Sequence, residues 1–227
     1  AIALQNLNKT NAALETTQNR VNTGMKVSSA KDNGAIFAIA TTQRANMGAM
    51  DAVKNSLQRG QSIVDVALAA GDTATSALEE MKALAVNIAS STGDAQVAYL
   101  ADYNALGKEV ASALSGASFD GVNLWATAGL TNVTTNTSGG TFGIGFATNI
   151  STSATLAAVN TGAIAATAAT TTAVDAALKT VTDSLATLGT QSKSVGRQIT
   201  FVNKLQDATE AGIGNLVDAD LAKESAK

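Results

Sequence analysis

Apolar side chains return every seven residues along two separate stretches of this chain, one toward each end. In the first, Ile36, Gln43, Met50, Leu57, Val64, Gly71, Leu78 and Ala85 mark one register. Ile39, Asn46, Val53, Gly60, Ala67, Ala74, Met81 and Ile88 mark a second, three residues later. A 3,4 alternation averages 3.5 residues per turn, so both registers fall on one stripe of a single helix. The sequence contains no proline to interrupt it, and at 1.5 Å rise per residue the stretch from Ile36 to Ile88 reaches about 80 Å. The second stretch runs Val174, Val181, Leu188, Val195, Val202, Thr209 and Leu216, with Leu178, Leu185, Ser192, Ile199, Gln206 and Ile213 four residues after the first six. The two stripes are natural partners. The small Gly60, Ala67, Gly71 and Ala74 of the first let the Val and Ile knobs of the second approach closely. The spacing predicts a mainly α fold: a long antiparallel, coiled-coil-like helical rod built from both ends of the chain, with a small β-hairpin or loop-rich insert.

The remaining elements follow from shorter patterns. Ile2 to Asn22 reads as a helix with Leu4, Leu7, Leu14 and Val21 on one face, too short to hold itself without a partner. Asn22 to Ala35 breaks the rhythm with Gly24, Ser28-Ser29 and Asp32-Asn33-Gly34, and Asn33-Gly34 is its strongest turn signal. Ser90 to Asp94 ends the long helix, with Gly93 as its C-cap and Asp94 as the next N-cap. Val97, Leu100, Tyr103, Leu106, Val110 and Leu114 then space a return helix over Asp94 to Ser115. Asp120-Gly121 marks a turn into an extended stretch from Val122 to Trp125. From Ala126 to Thr172 the texture is Thr, Ser, Asn, Gly and Ala without a single charge; it suits a few short strands such as Thr141 to Ala147, or a solvated loop. The expected division is therefore 1–35, 36–125, 126–172, 173–216 and 217–227.

Composition narrows the chemistry. The chain has no histidine and no cysteine, so it lacks the commonest general base and the thiol nucleophile and soft metal ligand. Ser29 with Lys31 and Ser192 with Lys193 have no orienting third group in sequence and read as ordinary polar positions. Gly139, Gly140, Gly143 and Gly145 have the density of a phosphate-cradling loop, but no Lys-Ser/Thr ending follows, and a tight hairpin explains them better. Asp218, Asp220 and Glu224 fall short of a calcium-loop template and read as acidic helix capping. No catalytic residue, cofactor or metal site is expected. A net charge of −3 with singly scattered Lys and Arg gives no footprint for nucleic acid, and no eighteen-residue apolar run exists to span a membrane.

With these segments in place, the chain closely resembles bacterial flagellin. The likeness lies in NLNKTNAALE from Asn6 to Glu15, VNTGMKVSSAKDNGA from Val21 to Ala35, LQRGQSIVDVALAA from Leu57 to Ala70 and MKALAVNIASS from Met81 to Ser91. It continues in FDGVNL from Phe119 to Leu124 and VDADLAKES from Val217 to Ser225. The resemblance implies a secreted subunit that self-assembles into the extracellular flagellar filament, as a homopolymer or with related flagellins. Its implied partners are an export chaperone, the filament cap and a junction protein. Residues 1–35 would supply an inner-tube helix and spoke, 36–125 and 173–216 the helical inner shell, 126–172 the outer insert, and 217–227 the start of a C-terminal inner-tube segment. Subunit contacts would fall on Leu4, Leu7, Leu14, Val21, Val217 and Leu221. In family terms the sequence begins slightly inside the usual N-terminus and ends where a further inner-tube helix begins, so the trimmed chain is expected not to polymerise normally. Hydroxyls of the insert are implied O-glycosylation acceptors, whereas the sequons at Asn132, Asn136 and Asn149 are patterns common in Asn/Thr-rich sequence.

The family is also read by innate immune receptors, at a stretch equivalent to Leu78, Glu80, Lys82 and Leu84. Receptor-activating members carry a basic side chain where this chain has Glu80 and an acidic one where it has Ala83, which implies weak or absent activation. Two other readings share parts of the pattern. A hook-filament junction protein has the same terminal logic but matches the connector and Val217 to Ser225 less closely. A chemoreceptor-type signalling coiled coil requires an uninterrupted helical hairpin, and the uncharged block from Ala126 to Thr172 sits where its tip belongs.

Overall fold

A computed structural model describes every residue from Ala1 to Lys227, and 72% of them are helical. The helices are α1 (Ile2–Thr23), α2 (Gly34–Ser90), α3 (Gly93–Ser115), α4 (Ala154–Asn160), α5 (Thr171–Val217) and α6 (Leu221–Ser225), joined by strands β1 (Thr131–Thr134) and β2 (Thr141–Ile144). Two compact units result, one from residues 1–54 with 201–227 and one from residues 55–200, and α2 and α5 contribute to both.

In the unit of residues 55–200 the heptad stripe is the core. Leu57, Val64, Ala67, Ala74, Leu78, Met81, Ala85 and Ile88 of α2 and Val174, Val181, Leu188 and Val195 of α5 are all buried. Polar pairs on the two helices fix an antiparallel alignment: Gln61 Nε2 donates to Ser192 Oγ at 2.6 Å, and Lys82 pairs with Asp175 at 2.8 Å. Gly71 sits between them in sequence, and Leu185 of α5 occupies the space its side chain would need. Gly60 serves a different neighbour from the one the seam predicts, since a Cβ there would lie 2.6 Å from Val133 of β1.

The segment between α3 and α5 folds onto these helices. Asp120 and Gly121 both take positive φ, 50° and 75°, the backbone a tight hairpin turn requires, and Phe119 and Val122 exchange both backbone hydrogen bonds across it. The stretch after it is a 3-10 turn at Leu124–Ala126 rather than extended, because Asn123 Oδ1 accepts the Trp125 N–H at 3.0 Å and starts a turn. Trp125 is buried, donates its indole N–H to the Ala67 carbonyl at 2.8 Å and packs on Phe146 with ring centres 5.3 Å apart. Strands β1 and β2 pair antiparallel, Thr131 opposite Ile144 and Thr134 opposite Thr141. The hairpin therefore stops at Ile144, short of Ala147. The α4 helix is an element the sequence pattern does not announce; Leu156 and Val159 bury its inner face.

Side-chain amides fasten this insert by its backbone. Gln191 of α5 accepts the Gly145 N–H at 2.8 Å and donates to the Gly145 carbonyl at 2.9 Å. Asn104 of α3 does the same for Ile164, at 2.8 and 3.0 Å. Each pair imitates one rung of a β-ladder, so these two attachments do not depend on the side chains at positions 145 and 164.

In the unit of residues 1–54 and 201–227, Val27, Ala40, Ile213 and Val217 form a small core with Met25, Ile36, Phe37, Met47 and Leu216 packed against it. Ala40, not the predicted Ile39, takes the inward position; Ile39 is exposed. Asn33-Gly34 is a helix start and not a turn. Asn33 Oδ1 accepts the Ile36 N–H at 3.1 Å, which is N-cap geometry. The α2–α3 junction moves likewise: Thr92 precedes α3, and Gly93, at φ 62°, opens that helix instead of closing α2.

Candidate functional site

The α1 helix is the part of the molecule with the least to hold it. Its 22 residues include none that is buried. Its C-terminus is closed by Gly24 in the left-handed conformation, whose N–H donates to the Arg20 carbonyl at 2.9 Å. Gly24 then starts a connector that pairs with the end of α5: the Lys26 N–H donates to the Val217 carbonyl at 2.6 Å and the Ala219 N–H to the Gly24 carbonyl at 3.0 Å. Within the connector, Asp32 Oδ2 accepts from the N–H and hydroxyl of Ser28 at 2.9 and 3.1 Å and from the Ser29 N–H at 3.1 Å. These bonds, led by the Ser28 N–H, hold the Asp32 carboxyl below the usual carboxylate value.

Of the residues the sequence nominates for subunit contact, Leu4 is 63% exposed, Leu7 56% and Leu14 54%, and Val21 and Leu221 are exposed as well. At spacings of three and seven residues, the α1 side chains share one helix face. Val217 is different. It is 2% exposed and lies in the chain's own core with Val27 and Ile213, where its carbonyl serves the connector, so it is not a surface residue. In the receptor-equivalent stretch, Leu78 is buried for the same kind of reason, as a heptad core position. Glu80 and Lys82 are exposed, Leu84 is half-buried, and the Lys82 ammonium is engaged by Asp175.

The acidic run near the C-terminus divides in two. Asp220 caps α6 as expected, accepting the Lys223 N–H at 3.2 Å. Glu224 does not cap a helix: it is buried and meets Arg20 of α1 at 3.4 Å and Lys227 at 2.9 Å. The Lys227 hydrogen bond, with the charges of Lys227 and Arg20, holds its carboxyl below the usual value against the opposing effect of desolvation. This tether between α1 and α6 has no local sequence signal, because its partners are 204 residues apart.

A terminal helix that presents a leucine face while burying none of its own residues, attached to long antiparallel heptad helices, defines a structural subunit that is completed by association. Residues 1–129 match the family model for the bacterial flagellin N-terminal helical region, and residues 171–227 match that for the C-terminal helical region. Flagellin FljM of Caulobacter vibrioides is 49% identical over 230 residues, covering all of this chain and 84% of that protein. Flagellin FljK of the same organism is 48% identical over 231 residues with the same coverage, and a flagellin of Brucella melitensis is 32% identical over 239 residues, covering 99% of this chain and 85% of that protein. The chain belongs to the bacterial flagellin family. It is a structural subunit of the extracellular flagellar filament, and it assembles with its own kind or with related flagellins.

Proposed function

We propose that the exposed face of α1, formed by Leu4, Leu7, Leu14 and Val21, together with Leu221, is the surface through which the subunit locks into the filament. The observation that carries this reading is the absence of any buried residue in α1. Burying a leucine side chain contributes roughly 1.5–3 kcal/mol, so a neighbouring subunit that covers this stripe stabilises a helix that is marginal alone. Residues 1–35 then act as inner-tube helix and spoke, 36–125 and 173–216 as the inner shell, 126–172 as the outer insert, and 217–227 as the start of the C-terminal inner-tube segment. The export chaperone, cap and junction protein belong to the same proposal, since a helix left open before assembly needs protection during export and placement at the growing end. Amide hydrogen exchange tests it. The α1 amides exchange far faster than those of residues 60–88 in the monomer and become protected in filaments; equal protection in both states contradicts the reading.

The same chain is proposed to be a poor trigger of innate flagellin receptors. Glu80 is exposed and acidic where activating members carry a base, and Lys82 is already paired with Asp175. A reversed charge at a desolvated contact costs several kcal/mol of complementarity. In a receptor reporter assay the purified protein gives little or no signal, and a strong response overturns the proposal.

A further inference from the structure

Two exposed surfaces of this chain match each other in shape and sign. On α2 and α3, a groove of about 500 Å³ is lined by Ala83, Leu84, Ala105 and Leu106 together with Glu80, Asp102 and Glu109. All three carboxylates are exposed, and none takes part in the chain's ion pairs. On α5, Phe201 is 58% exposed and Leu205, one turn further on, is exposed too. Lys204 lies beside them, exposed and without an ion-pair partner. Residues at i, i+3 and i+4 share one helix face, so these three form a ridge with an aromatic and an aliphatic anchor and a single ammonium.

We infer that the groove receives the Phe201–Lys204–Leu205 ridge of a second copy of this chain. The inference rests on the filament reading above and specifies which two surfaces meet. An exposed phenylalanine next to an exposed leucine is a contact surface waiting for cover, and Phe-type anchors carry interface energy when they enter an apolar pocket. The ridge brings an ammonium to a groove whose acidic groups have no cation of their own, which gives the pairing its register. Both surfaces are open to solvent in one chain, so they meet between molecules. Because the two surfaces differ, the contact is heterologous and propagates instead of closing into a dimer. The α1 stripe adds its own area to the same assembly.

The absence of cysteine makes the test clean. Ala101→Cys lies on α3 one helical turn before the groove residue Ala105, and Ala208→Cys lies one helical turn beyond Leu205, both at exposed positions outside the residues that make the proposed contact. Filaments of the full-length protein carrying both substitutions are treated with a short bismaleimide and run on a denaturing gel, with filaments counted by electron microscopy in the same samples. A ladder of covalent oligomers from the double variant, with each single variant yielding no ladder, is the expected result. Filaments of the double variant that yield no ladder overturn the pairing while leaving the filament reading standing. Failure of the unsubstituted protein to form filaments overturns both.

A charge-reversal series guards against cysteine variants that do not assemble. Lys204→Glu is expected to slow seeded elongation at low salt by about tenfold. Adding Glu80→Lys, Asp102→Lys and Glu109→Lys in the same chain is expected to restore most of the rate. Elongation unchanged by Lys204→Glu, or no recovery in the combined variant, overturns the inference.

Discussion

Gly71 has no side chain, and two large ones depend on that. Leu185 of α5 and Trp125 of the 3-10 turn both fill the space a Cβ would take; the Trp125 ring alone would lie 2.7 Å away. The indole also reaches the Ala67 carbonyl, one turn earlier on α2. Replacing Gly71 by valine forces helix, ring and Leu185 apart, and overpacking of this kind costs about 1–3 kcal/mol. Urea unfolding of the Gly71→Val variant is expected to show that loss with its denaturant slope unchanged; an unaltered midpoint contradicts the packing described. Half of this was readable from the chain. A small residue at a heptad position signals close helix approach, and Leu185 is the approach found. Trp125 was not readable as its second neighbour, since nothing local to a turn residue announces which helix it will enter. The same holds for Gly60, whose space goes to Val133 of the hairpin.

At the scale of elements, the two long helices were legible because many heptads agree, and each burial along Leu57 to Ile88 repeats the same evidence. The short elements were not. α4 has seven residues, too few for a period to declare itself in Ala/Thr-rich sequence. The terminal glycines misled for a related reason: Asn33-Gly34 and Gly93 have turn-forming composition, yet the side chain of Asn33 and the backbone of Gly93 start helices. The attachment of the insert was equally invisible, since Gln191 and Asn104 act on backbone groups and leave no complementary residue type to find. Gln191→Ala removes both hydrogen bonds to Gly145, a loss of about 1–3 kcal/mol with a backbone group left unsatisfied. Hydrogen exchange should accelerate across residues 131–146 while the α2 amides from 60 to 88 keep their protection. Uniform loss of protection in both regions contradicts a local clamp.

For the whole molecule, the sequence carries its function through what it leaves unpaired as much as through what it buries. Heptads commit Val53 to Ile88 of α2 and Val174 to Val202 of α5 to interior contacts, while Leu4, Leu7 and Leu14 repeat the rhythm on a helix that buries none of its residues. Val217 shows the limit of that logic. The family resemblance nominates it alongside those leucines, and only the folded chain reveals that Val27 and Ile213 already cover it. The direct test compares the full-length protein with its Leu7→Asp, Leu14→Asp variant in seeded polymerisation viewed by electron microscopy, with thermal unfolding of each monomer followed by circular dichroism. Long filaments from the unsubstituted protein, none from the variant and matching monomer melting curves are the predicted result; filaments of equal length from both would contradict assembly through the α1 face.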